Sequence, residues 1–265
     1  MPNWVVNKIT VDGPNAEDII RSHFIKEENG EDAFDFNTIT RMPEKLKIEK
    51  SSKSSDGFKL YIAKINPIIP NLGTHEEKML PIGNFFNKMV SLFGTDCIDN
   101  IQRYILKPSE IEQLKDKYKE EFNDVVNLGE KVFHNYEQYG VPDWYDWSIL
   151  NWGSKWNACN TILSEDGKTL YFDTAWTPTI PVIAKFAEMH PELKVTHEYA
   201  EEQTGFLSGR FEYEDGEMVV HDEFEPYSKE AYEMSFELWG CEEDYKFNKE
   251  TGTYDYIDPD EEPEM

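Results

Sequence analysis

Cysteine is scarce in this chain. Cys97, Cys159 and Cys241 lie far apart and form no CxxC pair. Three thiols cannot all pair within one chain, and no metal-ligand spacing is present, so reduced thiols are expected rather than a disulfide framework. Long apolar runs are lacking too: nothing approaches the roughly 18 residues that a spanning helix needs. The start, Met1-Pro2-Asn3-Trp4-Val5-Val6-Asn7, has neither the basic flank nor the apolar run of a signal peptide. Positive charge is also short, with 26 Lys and Arg against 53 Asp and Glu, a formal net charge of −27. That balance argues against direct binding to nucleic acid or anionic lipid, and favours a basic partner or a site that normally holds a polyanion.

Catalytic signatures are missing as well. There is no HxH or HExxH, no GxSxG elbow, no GxGxxG and no Walker loop, and no Cys stands beside a recognisable His partner. His23, His75, His134, His190, His197 and His221 are scattered. The nearest approach to a zinc site is His197 and His221 meeting across adjacent strands beside Glu198, Asp222 and Glu223. Surface histidines near carboxylates are common, so no metal, no cofactor and no catalytic residue is expected. The acidic run Asp255 to Glu262 lacks the glycine and the terminal glutamate spacing of a calcium loop, and reads as a solvated tail.

The acids that are present are unevenly placed. From Glu192 to Met265 there are 24 acids and 5 Lys or Arg, a net of −19, against −8 for the remainder. The tryptophans are uneven too, with five of seven inside Pro142 to Pro181. Trp is costly to leave in water, so a packed core or a pocket wall is expected there.

Periodicity switches between two and 3.6 along the chain. Trp4 to Val11 reads as a strand, and Asn15 to Phe24 as a helix with Asn15 as N-cap. Phe34, Phe36 and Ile39 open an extended segment ending at Met42-Pro43. The Lys- and Ser-rich stretch Lys45 to Gly57 reads as a mobile loop. Asn84 to Phe93 reads as a helix. Pro108 opens another, with Ser109 as cap and Glu112 completing a capping box, and Val125 to Tyr139 continues it with a break at Gly129. Trp156 to Leu163 and Leu170 to Trp176 read as a hairpin, followed by a helix from Thr177-Pro178. Strands follow at Lys194 to Tyr199, Gly205 to Tyr213 and Met218 to Phe224, the last two joined at Glu214-Asp215-Gly216. Ser228 caps a helix to Trp239. Cys241 to Met265 is a tail, mobile or docked through Tyr245, Phe247, Tyr254 and Tyr256.

These segments predict an α+β fold, an antiparallel sheet with packed helices, built from residues 1–43 and 142–225. A helical insert at 81–140 interrupts it, and an acidic helix and tail at 226–265 follow. Phe34-Asp35-Phe36-Asn37 with Met42-Pro43, Asn151-Trp152-Gly153-Ser154-Lys155-Trp156-Asn157-Ala158 and Thr174-Ala175-Trp176-Thr177-Pro178 follow the Met-Pro-Asn-Trp start in order. In that order they resemble the YubB-like proteins of bacteriophages and conjugative plasmids, over residues 1 to about 215. Ser154 stands where Thr is expected in that family. The resemblance implies a ferredoxin-like βαββαβ sandwich and a role in the contest with host defences. With the reduced thiols and the missing signal-peptide features, the expected location is the cytoplasm of a bacterial host. The resemblance implies no iron: a cluster needs four suitably spaced thiolates.

Two surfaces compete as functional sites. The first is the acidic set Glu212, Glu214, Asp215, Glu217, Asp222, Glu223 and Glu225 on one hairpin. Same-face strand residues recur about every 6.8 Å, comparable to the roughly 7 Å between phosphates of one DNA strand. On this reading the protein is not an enzyme. It is an acidic interaction protein that inhibits a host defence nuclease or nucleic-acid-binding complex by occupying its basic surface, touching neither nucleic acid nor membrane. The alternative is a cleft of Trp152, Lys155, Trp156, Asn157 and Trp176 that stacks a small ligand such as a nucleotide, as a binding module or weak enzyme.

Overall fold

The computed structural model describes residues 2–26, 32–65 and 106–257. In chain order its strands are β1 (Trp4–Asp12), β2 (Phe24–Lys26), β3 (Asp32–Phe34), β4 (Cys159–Leu163), β5 (Thr169–Ala175), β6 (Lys194–Glu201), β7 (Ser208–Glu214), β8 (Glu217–Glu223), β9 (Tyr245–Asn248) and β10 (Thr253–Tyr256). The α-helices are α1 (Ala16–Ser22), α2 (Ser52–Ile65), α3 (Pro108–Tyr118), α4 (Phe122–Tyr139), α5 (Trp144–Trp152), α6 (Ile180–Met189) and α7 (Lys229–Trp239). The chain divides into two compact units, Met1–Arg41 with Ser148–Met265, and Met42–Trp147.

The first unit is built on a six-stranded sheet in the order β4-β5-β1-β6-β7-β8, with every neighbouring pair antiparallel. Taken as β1-α1-β4-β5-α6-β6, its first four strands have the interleaved order of a ferredoxin-like βαββαβ unit, and β7 and β8 extend it at one edge. The alternation in β1 explains its central place. Val5, Asn7, Ile9 and Val11 are buried, while Trp4, Val6, Lys8 and Thr10 are only partly so. Leu170 and Phe172 of β5, Val195 and Tyr199 of β6, Ile20 of α1 and Val182, Ile183 and Phe186 of α6 complete this core. Each such aliphatic or Phe side chain contributes about 1.5–3 kcal/mol by leaving water.

Several local expectations change. Asn15 does not cap α1 with its side chain: it adopts φ 57°, the left-handed region that Asn tolerates. The first strand of the predicted hairpin starts at Cys159, not Trp156, and slips register between Cys159 and Ile162. The helix after Pro178 starts at Ile180, and the hydroxyl of its N-cap Thr179 does not cap it but donates to the Trp152 carbonyl at 2.6 Å. Between Trp239 and Ile257 the tail is docked: β9 and β10 form a hairpin whose Tyr245 and Tyr254 lie 5.3 and 4.9 Å from the Phe236 ring of α7.

The second unit is helical among its described residues. The Lys45 to Gly57 stretch is no loop. Glu44–Leu46 is a 3-10 turn and α2 begins at Ser52, with Leu46, Ile48, Gly57 and Phe58 buried. Asn135 Nδ2 donates to the Lys45 and Pro142 carbonyls at 3.0 and 2.9 Å and fixes the stretch further. The capping box of α3 is displaced two residues, with Glu110 accepting from the Lys107 amide at 2.6 Å. The expected helix Asn84 to Phe93 lies outside the described residues, as does 81–105 of the expected insert.

Gly129 does not break α4. It lets α4 touch α2, for a Cβ built on Gly129 would fall 1.9 Å from the Gly57 carbonyl oxygen, and one on Gly57 would fall 2.4 Å from that of Val125. Backbone cannot yield as a side-chain tip can. Gly129→Ala should therefore destabilise this unit by about 3 kcal/mol or more, although Ala is the better helix former. Hydrogen exchange over α2 and α4 measures it, and unchanged protection would contradict the close crossing.

Candidate functional site

The acidic hairpin is positioned by its turn. Asp215 and Gly216 both adopt positive φ, 52° and 80°, the pair that a tight two-residue hairpin needs. Glu214 and Glu217 consequently face each other across the ladder. Among the described residues β8 has a neighbour on one side only, and its burial pattern is exposed at every residue except the half-buried Val220. Both edges of the sheet are irregular: β8 bulges at Val219, and β4 slips register, with its Thr161 hydroxyl accepting from the Phe34 amide at 3.3 Å.

The seven expected acids do not share one environment. Glu212 is half-buried and spent internally, 3.2 Å from Lys194 Nζ and 2.5 Å from Arg210 Nη2. Glu214 meets Lys194 at 2.8 Å, and Glu223 meets His221 Nε2 at 3.1 Å. Among the described residues Asp215, Glu217, Asp222 and Glu225 form no ion pair, and all four are exposed. The cross-strand register shows what lies beside Asp222. One row over the sheet face runs Lys8, Glu198, Arg210, Asp222, alternating in sign from β1 to β8. Lys8 Nζ is 2.9 Å from Glu198 and 2.5 Å from Glu237 of α7, while Arg210 pairs with Glu212 through Nη2 and its buried Nε has no hydrogen-bond partner among the described residues. Asp222 ends the row with its outer side unmatched.

The tryptophan motif divides differently. Trp152, 5% exposed, is core: its indole N–H donates to the Thr40 carbonyl at 2.9 Å, and its ring meets Phe36 edge-on at 5.8 Å. Asn157 is also structural. Its amide oxygen accepts from the Phe36 N–H at 2.9 Å and its amide nitrogen donates to Asp35 at 2.7 Å. Trp156 and Trp176 are 36% and 44% exposed, with centroids 5.6 Å apart and Lys155 Nζ at 4.5 and 5.4 Å from them. Trp4, missed as a candidate, joins them at 6.4 Å from Trp156. Trp176 holds φ 65°, fixed by its amide donating to the Asn3 carbonyl at 2.8 Å. Three of the five expected cleft residues thus come together, without Trp152 and Asn157.

The histidines are placed apart. β7 separates His197 of β6 from His221 of β8, with the Phe211 ring lying 6.1 and 4.8 Å from theirs, so the two do not meet. Instead His23 and His190 face each other, Nε2 to Nε2 at 3.3 Å. The Thr38 hydroxyl donates to the Asp35 carbonyl at 2.6 Å, so it accepts from His23 Nδ1–H at 2.8 Å, and His23 Nε2 presents its lone pair to His190. Burial, and secondly His190, push His23 down to about 4; burial pushes His197 down to about 3. Among the described residues no three His, Cys, Asp or Glu side chains converge as metal ligands, and no helix is long and apolar enough to cross a membrane.

Residues 151–256 match a family model described as the ferredoxin-like domain in Api92-like protein. That segment holds β4 to β10, while β1 and α1 of the βαββαβ unit lie outside it. A solved structure, protein api92 from Yersinia pseudotuberculosis, is similar at 15% identity and a TM-score of 0.36, over 85% of this chain and 99% of that one. No curated protein matches the chain.

Proposed function

We propose that this chain is a non-catalytic, acidic interaction protein of a phage or mobile element. It occupies the basic surface of a host defence nuclease, or of a related nucleic-acid-binding complex, in the bacterial cytoplasm. One observation carries the reading: the outermost strand of the sheet is exposed on both faces and bordered by acids whose inner neighbours are already paired. The net charge of −27 and the resemblance to YubB-like proteins support it. Such an encounter is steered by charge, so it weakens as salt screens it. The test is a pull-down from host lysate followed by competition. A basic, nucleic-acid-handling partner displaced by DNA or RNA, more readily at high salt, is the expected result. A partner bound equally well with nucleic acid present would contradict mimicry.

The exposed Trp156–Trp176 pair beneath Lys155 favours a second reading, a stacking site for a nucleotide. A nucleotide at 100 times its dissociation constant would add about 2.7 kcal/mol. A thermal-shift screen without any shift removes this reading.

A further inference from the structure

We infer that β8 takes up an extended basic segment of its partner as a seventh, antiparallel strand. The inference rests on the reading above and specifies how the partner is held. β8 is seven residues long, has a neighbour on one side only among the described residues and is exposed on both faces. A bulge at Val219 interrupts it, so the regular row of backbone donors and acceptors able to template a strand runs from Val220 to Glu223, with Glu217 and Met218 beyond the bulge. The centre of β8 is apolar, with Met218 and Val219 41% and 53% exposed, and its ends are acidic at Glu217, Asp222 and Glu223.

The occupant follows from the charge pattern. The row Lys8, Glu198, Arg210, Asp222 alternates in sign, so the next strand completes it with Lys or Arg opposite Asp222. At the hairpin end the row does not alternate: Glu214 and Glu217 oppose each other and, among the described residues, only Glu214 is paired, to Lys194, so Glu217 calls for a second cation beyond β8. A second copy of this chain is a poor occupant. Antiparallel self-pairing centred on Val220 would set Glu217 against Glu223 of the other copy at both ends, and directly opposed like charges destabilise a ladder. The same acids that keep the edge from pairing with itself leave it open to a basic strand. The partner segment is thus an extended stretch with an apolar or β-branched centre and a Lys or Arg near each end.

The probe is a labelled synthetic nonapeptide with lysine at both ends and alternating valine and threonine between. It is compared, by fluorescence anisotropy with the full chain at low salt, with two analogues N-methylated on alternate amides, one in each phase. An oligolysine peptide is the charge control. Strand addition predicts that one N-methylated phase loses at least tenfold in affinity at unchanged charge. It also predicts that the parent peptide slows amide exchange in β8. Equal binding by all three nonapeptides with β8 exchange unchanged overturns the strand inference and leaves the acidic-surface reading standing, as does binding by oligolysine alone. Failure of every peptide, oligolysine included, overturns both.

Discussion

Trp152→Ala is expected to lower the stability of the sheet unit by about 3–5 kcal/mol, and Trp156→Ala by only about 1 kcal/mol or less. The two residues sit four apart in one motif, yet their surroundings differ. Trp152 is almost fully enclosed, packs on Phe36, and its N–H satisfies the Thr40 carbonyl. Truncation opens a cavity and leaves that carbonyl without its donor, a loss of about 1–3 kcal/mol in itself when the group is buried. Trp156 touches Trp4, Trp176 and Lys155 at the surface, and water replaces much of what it loses. Urea denaturation of the two variants distinguishes them. Equal losses would place Trp156 in the core.

Acid should unfold the sheet unit well before its carboxylates are exhausted. His197 is fully buried; its Nε2 meets the Asn7 amide oxygen at 2.9 Å, and its Nδ1 has no partner. Asn7 Nδ2 donates to the Thr174 hydroxyl at 2.8 Å, so its oxygen is the atom facing His197, which must be neutral with its proton on Nε2. A second proton on Nδ1 would have no acceptor. The folded pKa, about 3, lies below the unfolded value of 6.5, so the unfolded chain binds the proton first. The stability this group contributes is therefore complete above pH 6.5 and lost as pH falls towards 3, at about 1.4 kcal/mol per pH unit. His23, lowered to about 4, acts in the same direction over pH 6.5 to 4. Denaturation at pH 7 and pH 5 should show that difference shrinking by about 2 kcal/mol in His197→Phe, whatever the variant's stability at neutral pH. An unchanged pH dependence would show that His197 takes up its proton in the folded state.

What the sequence made legible was the local part of the fold. The alternation of Trp4 to Val11 and the Asp215-Gly216 turn depend on neighbours in the chain, and both are where they are expected. The Lys45 to Gly57 stretch was misread because its polar composition resembles a loop, whereas Leu46, Ile48 and Gly57 are fixed by partners elsewhere in their unit. The phase of the tryptophan motif was hidden for a related reason. Only the end of α5 at Trp152 and the start of β4 at Cys159 decide which ring faces inward. Glu212 looked like its neighbours in sequence, and the register that brings Lys194 beside it, with Arg210 two residues back on its own strand, removes it from the acidic surface.

The most direct test of that surface is charge reversal at Asp222, Glu223 and Glu225 to Lys, with partner affinity and melting measured on the same variant. All three are exposed, and only Glu223 has an ion-pair contact among the described residues, to His221. Melting should thus remain within about 0.5 kcal/mol per site of the parent chain. Abolished binding to the nucleic-acid-handling partner, with the sheet still folded, is the predicted result. Normal binding by this variant, together with lost binding by a folded Trp156→Ala, would contradict the account and place the site at the tryptophan cluster.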